Sequence, residues 1–177
     1  MRRSNRIAAM IAACVLLSGC EKPPATGHSP SPSAGAAPAS WVLTSEPAEA
    51  KSVVEVKASA AEGDRVVVRA RIGGRRDPMT AGSPVFSVMD VSLAHCGENP
   101  DDKCATPWDY CCETPDTKRA KGATVQIVGT DGQPVAGDAS SGGLKPLDEV
   151  VLVGTVGPRP SPDVLTILAS GVYRVGP

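Results

Sequence analysis

Apolar and charged positions alternate from Arg65 to Ile72, in the order Arg-Val-Val-Val-Arg-Ala-Arg-Ile. That period of two places one face in a core and the other in solvent, and it predicts a β-strand. Pro84 to Val91 alternates in the same way and carries the only phenylalanine, Phe86, as a core residue. Three further strands follow after a long interval: Ala123 to Val128, the β-branched run Val150 to Val156, and Val164 to Val175 with Leu165, Ile167 and Val172 facing in. Upstream, Ala50 to Ala61 carries Val53, Val54 and Val56, and its Ala and Glu content favours a short helix over a strand. Glu62-Gly63-Asp64, Gly73-Gly74, Asp131-Gly132, Gly142-Gly143 and the stretch Pro158 to Pro162 supply turns, bends and flexible loops between these segments. There is no internal repeat and no heptad pattern. The expectation is an all-β domain over residues 48–177, with a short N-terminal helix and five strands.

The chain before that domain has a different texture. Between residues 20 and 47, Pro23, Pro24, Pro30, Pro32 and Pro38 alternate with Ala, Ser and Gly, which predicts an extended tether of about 3 Å per residue. His28 lies in this tether as a solvated residue. Trp41-Val42-Leu43 is its one apolar patch and either docks on the domain or stays loose. The first nineteen residues hold Arg2, Arg3 and Arg6, then an apolar run from Ile7 to Leu17 that is too short to span a bilayer. The run ends in Leu17-Ser18-Gly19-Cys20, which resembles the lipobox of bacterial lipoprotein signal peptides. That resemblance implies cleavage before Cys20, lipidation of its sulfur, and a membrane as the first partner of the mature chain. Several acyl chains give durable anchoring, because each buried methylene adds roughly 0.8 kcal/mol. The expected location is the bacterial cell envelope, facing the periplasm or exterior, where disulfides persist.

Charge narrows the partners. The chain has 18 basic and 19 acidic residues. The first nineteen residues contain three arginines and no acid, so their removal leaves a net charge of −4. Such a balance argues against non-specific binding of polyanions, and nucleic acid is not expected as a partner. Aromatic residues make up only 3% of the chain, so Val, Leu and Ile must fill the core.

The order of the strands adds a fold. The segments Gly-Asp-Arg-Val-Val-Val-Arg-Ala-Arg-Ile-Gly-Gly, Val-Phe-Ser-Val-Met-Asp, Leu-Asp-Glu-Val-Val-Leu-Val-Gly-Thr-Val and Leu-Thr-Ile-Leu-Ala-Ser-Gly-Val-Tyr-Arg-Val resemble those of bacterial OB-fold domains, over roughly Ala48 to Val175. Together with Cys-Ala-Thr-Pro-Trp-Asp-Tyr-Cys-Cys between the second and third strands, the pattern is similar to a family of exported bacterial lipoproteins with an OB-like domain. The resemblance implies a five-stranded OB-like barrel with a long Cys-rich loop, and it brings no catalytic residues.

That loop, from His95 to Glu113, concentrates the candidate chemistry. It holds Cys96, Cys104, Cys111 and Cys112, with His95, Trp108 and Tyr110. Some 30 residues between two strands exceed an ordinary connection, which points to function or to a need for stapling. Four cysteines allow three pairings. Joining the neighbours Cys111 and Cys112 makes a strained ring, so Cys96–Cys111 with Cys104–Cys112 and Cys96–Cys112 with Cys104–Cys111 remain open. Two disulfides, each contributing about 2–4 kcal/mol, are the favoured reading. A thiolate metal site is the alternative. It is disfavoured because neighbouring cysteines rarely share one tetrahedral ion and the usual two-residue ligand gap is missing. Glu98, Asp101, Asp102 and Asp109 could offer hard oxygens to Ca²⁺, although a solvated loop face explains them better. A labile Cys111–Cys112 disulfide is the remaining option, with no Cys-x-x-Cys geometry to support it.

Trp108 and Tyr110 flank Asp109 and suggest a stacking platform for a base or a sugar ring, against the simpler and favoured reading that they cap the barrel and cover the disulfides. Arg69, Arg71, Arg75 and Arg76 form a basic patch that could meet anionic polymer or lipid headgroups, but a solvated strand face explains it better. The chain shows no Ser-His-Asp set, no Gly-x-Ser-x-Gly and no phosphate loop, and no catalytic residue, cofactor or metal is assigned. The expected function is a membrane-anchored, non-catalytic OB-like binding or interaction module. Its partners would be an envelope protein, an oligosaccharide or a small ligand at Trp108, Asp109 and Tyr110. A metal-binding or redox-responsive protein using the Cys-rich loop, or a purely structural envelope protein, are the alternatives.

Overall fold

The structure, a computed structural model, describes residues 40–176. The expected signal peptide, Cys20 and most of the tether lie outside the described residues. Within them the chain forms the predicted barrel. Its strands are β1 (Lys51–Ser52), β2 (Arg65–Ile72), β3 (Val85–Met89), β4 (Gly122–Ile127), β5 (Glu149–Val156) and β6 (Thr166–Arg174). The sheet runs β1-β2-β3-β4-β6-β5 and closes because β2 also pairs with β5. β2 and β5 run antiparallel through seven residue pairs, from Arg65↔Thr155 to Arg71↔Glu149. β4 and β6 run parallel. The closed cycle β2-β3-β4-β6-β5 is an OB-like barrel, and β1 is an added two-residue strand beside β2.

Alternation along each strand fills the interior. Val68, Ala70 and Ile72 from β2, Phe86 and Val88 from β3, and Val125 and Ile127 from β4 meet Val150 and Leu152 from β5 and Ile167 and Ala169 from β6, all fully buried. The β5–β6 register shifts between Val153 and Gly154, where β6 carries the extra residue Ser170 between Ala169 and Gly171. A side chain at Gly154 would stand 2.1 Å from the Leu168 carbonyl oxygen, so only glycine lets the strands approach there. The segment predicted as a helix splits. Lys51–Ser52 joins the sheet and α1 (Val53–Ser59) follows, opened by a capping box in which Ser52 and Glu55 satisfy each other's backbone N–H groups. Val53 and Val56 from α1 are buried in the core.

The fold also starts earlier than residue 48. Trp41 is buried in the same core as Ala139 and Leu144, its carbonyl accepts from Val172 N–H at 2.8 Å, and Leu43 N–H donates back to the Val172 carbonyl at 2.9 Å. The apolar patch at the end of the expected tether therefore docks. Burying one of the two tryptophans supplies the barrel with aromatic area it otherwise lacks.

The Cys-rich insertion leaves β3 at Asp90 and returns through α2 (Pro115–Lys121) to β4. Its base is tied by Asp90 N–H donating to the Lys121 carbonyl at 2.8 Å. The Asp90 carboxylate is buried and accepts from Val54 N–H at 3.0 Å and Ser92 N–H at 2.9 Å. Burial alone would raise this carboxyl, but those hydrogen bonds and the nearby Lys121 ammonium hold it below its ordinary value.

Because the folded state holds Asp90 ionised more firmly than the unfolded chain does, it adds stability that is present at neutral pH and lost as pH falls through the folded value. Asp90→Ala should cost about 1–3 kcal/mol at neutral pH by leaving two N–H groups without their acceptor. It should also flatten the acid end of the stability profile. Urea unfolding followed at neutral pH and in acid checks both effects.

Candidate thiol site

Each cysteine is delivered to the site by a different part of the insertion. Cys96 sits just past the short turn after Asp90 and is buried, its N–H donating to the Pro107 carbonyl at 3.3 Å. Cys104 lies half-buried beyond the exposed turn Asn99–Asp102. The 3₁₀ turn Pro107–Asp109 then leads to Tyr110, whose φ of 53° reverses the chain. Glu113 N–H donates to the Tyr110 carbonyl at 3.0 Å, so Cys111 and Cys112 occupy the two central positions of a tight turn. Neighbouring side chains in a strand point to opposite faces, whereas here both thiols reach the same point. Asp109 fixes this turn, accepting from Cys111 N–H at 2.8 Å and from the Thr106 hydroxyl at 2.8 Å.

The result is a cluster in which the Sγ atoms of Cys96, Cys104, Cys111 and Cys112 all lie within 4.8 Å of one another. Cys104 and Cys111 are 3.4 Å apart, Cys96 and Cys111 3.7 Å, Cys96 and Cys112 3.8 Å, and Cys111 and Cys112 4.0 Å. No pair is near the ~2.0 Å of a disulfide. The two disulfides expected from the sequence are therefore absent from the structure, in which all four cysteines are unbonded. The physical reason is that the sulfurs converge on a common centre instead of approaching in pairs. A tetrahedral zinc thiolate, with a metal–sulfur distance of ~2.3 Å, has its ligand sulfurs roughly 3.8 Å apart. The four measured separations bracket that value. The turn at Cys111–Cys112 brings both neighbouring thiols to the common centre, an approach that their adjacency in the sequence did not suggest.

Crowding of four thiols also divides their acidity. Burial pushes Cys96 up, but hydrogen bonds from Cys112 N–H and from the thiols of Cys111, Cys112 and Cys104 outweigh it and lower its pKa. Cys104 is pushed up to about 12, first by its contact with Cys111, and Cys112 to about 11, first by its contact with Cys96. One negative charge at the cluster is stabilised by the thiols around it, and further charges repel it.

The residues expected to form a ligand platform serve the loop instead. Tyr110 is fully buried and packs with Met89 and Leu93, so it offers no stacking face. Trp108 is half-buried, its indole N–H donates to the Arg76 carbonyl at 2.9 Å, and its own carbonyl accepts from Gly74 N–H at 2.8 Å. Asp109 is directed at Thr106 and Cys111. The acids proposed for Ca²⁺ do not converge. Glu98 pairs with Arg71 at 3.0 Å and lies 3.6 Å from His95 Nε2, while Asp102 and Asp101 belong to the exposed turn at Asn99. Arg69 is committed to Glu46 and Glu149, and Arg71 to Glu98, which neutralises half of the basic patch.

Sequence reading missed the seat of the loop. Gly73, marked only as a bend, is where the insertion rests on the barrel: an added side chain would come 2.6 Å from the Trp108 carbonyl oxygen and 2.9 Å from the Tyr110 ring. The pairing of two glycines at the end of an amphipathic strand was the available signal, but nothing in it named a partner thirty-five residues away. Asp90, an acid closing a strand, was visible as a position and not as an anchor.

No protein-family model, curated protein or solved structure matches this chain.

Gly73→Ala should therefore destabilise the domain by about 1–3 kcal/mol and lift the Trp108–Tyr110 segment from the barrel, because the obstacle is backbone and cannot rotate away. Thermal unfolding gives the first effect. A red shift and increased quenching of tryptophan emission, measured in native conditions, gives the second.

Proposed function

We propose that this chain is a membrane-tethered, non-catalytic OB-like module of the bacterial envelope that binds a thiophilic metal ion through Cys96, Cys104, Cys111 and Cys112. The tether and lipid anchor at Cys20 follow from the N-terminal sequence Leu17-Ser18-Gly19-Cys20. Among the described residues no helix is long and apolar enough to cross a membrane. The metal reading is carried by one observation, the four Sγ atoms within 4.8 Å of one another. Thiolates select Zn²⁺ or Cu⁺ over hard cations. Cysteines ligating an iron–sulfur cluster stand on the outside of a multi-atom body and are spread by it; these sulfurs are spaced for a single ion.

Four protein ligands complete a tetrahedron and leave no open position for a reacting water, so an ion here would organise the loop instead of catalysing hydrolysis. The loop has reason to need it. Apart from the small cluster of Met89, Leu93 and Tyr110, few of its side chains are buried. The envelope protein, oligosaccharide or small ligand expected as partner is replaced in this reading by the metal itself.

Purified under reducing conditions and supplied with Zn²⁺, the chain should retain one ion per molecule by elemental analysis. Co²⁺ should give the visible bands and sulfur-to-metal charge transfer of a tetrahedral thiolate. Cys96→Ser and Cys111→Ser should each weaken Zn²⁺ binding by at least about tenfold, since each removes one thiolate from a four-ligand site. A chain that takes up no ion while all its loop thiols are titratable would refute the metal reading.

A further inference from the structure

The four sulfurs are not equally accessible. Cys96 is buried, Cys104 is half-buried, and Cys111 and Cys112 are exposed. Cys111 is also the sulfur with the most neighbours, touching Cys104 at 3.4 Å, Cys96 at 3.7 Å and Cys112 at 4.0 Å. The first thiolate that a solvent-borne oxidant meets thus already has resolving thiols in contact. We infer that the site is a thiol–disulfide switch that releases its metal on oxidation, closing Cys104–Cys111 first and Cys96–Cys112 second. The inference rests on the metal-binding reading and adds its regulation.

Two features fix the order and the pairing. Cys104 is the nearest neighbour of Cys111, and it follows the exposed turn Asn99–Asp102, a segment with few buried contacts and room to move. Cys96 is buried and held through its N–H to Pro107, so it moves less readily toward Cys111. Once Cys104 and Cys111 are joined, Cys96 and Cys112 are left 3.8 Å apart as a ready second pair. The competing arrangement, Cys96–Cys111 with Cys104–Cys112, requires a bond between two thiols that make no sulfur–sulfur hydrogen-bond contact. The vicinal bond Cys111–Cys112 would need a strained ring and would strand Cys96 and Cys104.

The oxidant is a disulfide of low molecular weight or of a partner protein. Its sulfur is attacked by the Cys111 thiolate, one thiol leaves, and Cys104 displaces the second from the mixed disulfide. Two electrons pass from the cysteine pair to the reagent in each round. For the zinc-loaded site, four thiolates and Zn²⁺ react with two disulfide reagents and four protons, giving two protein disulfides, four small thiols and free Zn²⁺. Sulfur in a disulfide is no longer an anionic ligand, so the ion must leave as the bonds form.

The test uses the full chain carrying Cys14→Ser and Cys20→Ser, so that only the loop thiols report. Zinc-loaded protein is treated with oxidised glutathione while a chromogenic indicator follows free zinc and tandem mass spectrometry maps the bonds. Zinc should appear in step with thiol loss, one ion for every two disulfides, and the mapped bonds should be Cys104–Cys111 and Cys96–Cys112. A variant keeping only Cys104 and Cys111 should close at least about tenfold faster than one keeping only Cys104 and Cys112, given that exchange depends on access and approach. Zinc retained through oxidation, a mapped Cys111–Cys112 bond, or equal closure rates would overturn the switch. If no zinc loads at all, the metal reading fails, and the pairing order is still read from the metal-free variants. The two failures are therefore separable.

Discussion

The convergence of four sulfurs is the constraint on which the insertion depends. A segment from Asp90 to Lys121 whose buried apolar side chains are Leu93, Cys96 and Tyr110 cannot bury enough surface to order itself. The barrel gives it two fixed points. Asp90 N–H and the Lys121 carbonyl close its base, and Gly73 and Gly74 admit Trp108 and Tyr110 against the end of β2. Between those points the chain turns repeatedly, and the turns at Asn99–Asp102 and Tyr110–Glu113 flank the thiols that meet at one centre. A neutral cluster of thiols provides little attraction of its own. Under the proposed metal-binding reading, a divalent ion held by four thiolates would supply the missing stabilisation, as structural zinc sites do for small domains that lack a core.

The scaffold and the site follow different physical rules. The barrel is held by alternating Val, Leu and Ile, closed by the seven pairs between β2 and β5, and sealed by Trp41. None of that depends on the cysteines. The site depends on polar geometry: Asp109 positioning the Cys111 turn, Thr106 orienting Asp109, and Arg71 drawing Glu98 and His95 together beside the buried Cys96 segment. A domain built this way can rearrange its thiol site without losing its core.

Strand periodicity made most of the fold legible. Arg65–Ile72 and the β-branched run ending at Val156 read correctly because alternation and β-branching are local properties, and the order of the segments carried the OB-like topology. Trp41 was ambiguous because its burial is decided by Val172 and Gly142, more than a hundred residues downstream. The thiol site was half legible. Spacing identified the four cysteines, but pairing them required knowing how the chain turns at Tyr110. A tyrosine with φ of 53° is not a conformation that residue type announces, and it is what turns neighbouring cysteines toward one centre. The same reversal buries the Tyr110 ring, so the apparent aromatic platform disappeared for the reason that the thiol cluster formed.

X-ray absorption at the zinc edge, on the full chain loaded with one equivalent of Zn²⁺, tests the central claim most directly. The account predicts a single shell of four sulfur scatterers at ~2.3 Å with no light-atom ligand. A shell containing oxygen or nitrogen ligands, or fewer than four sulfurs, would contradict it.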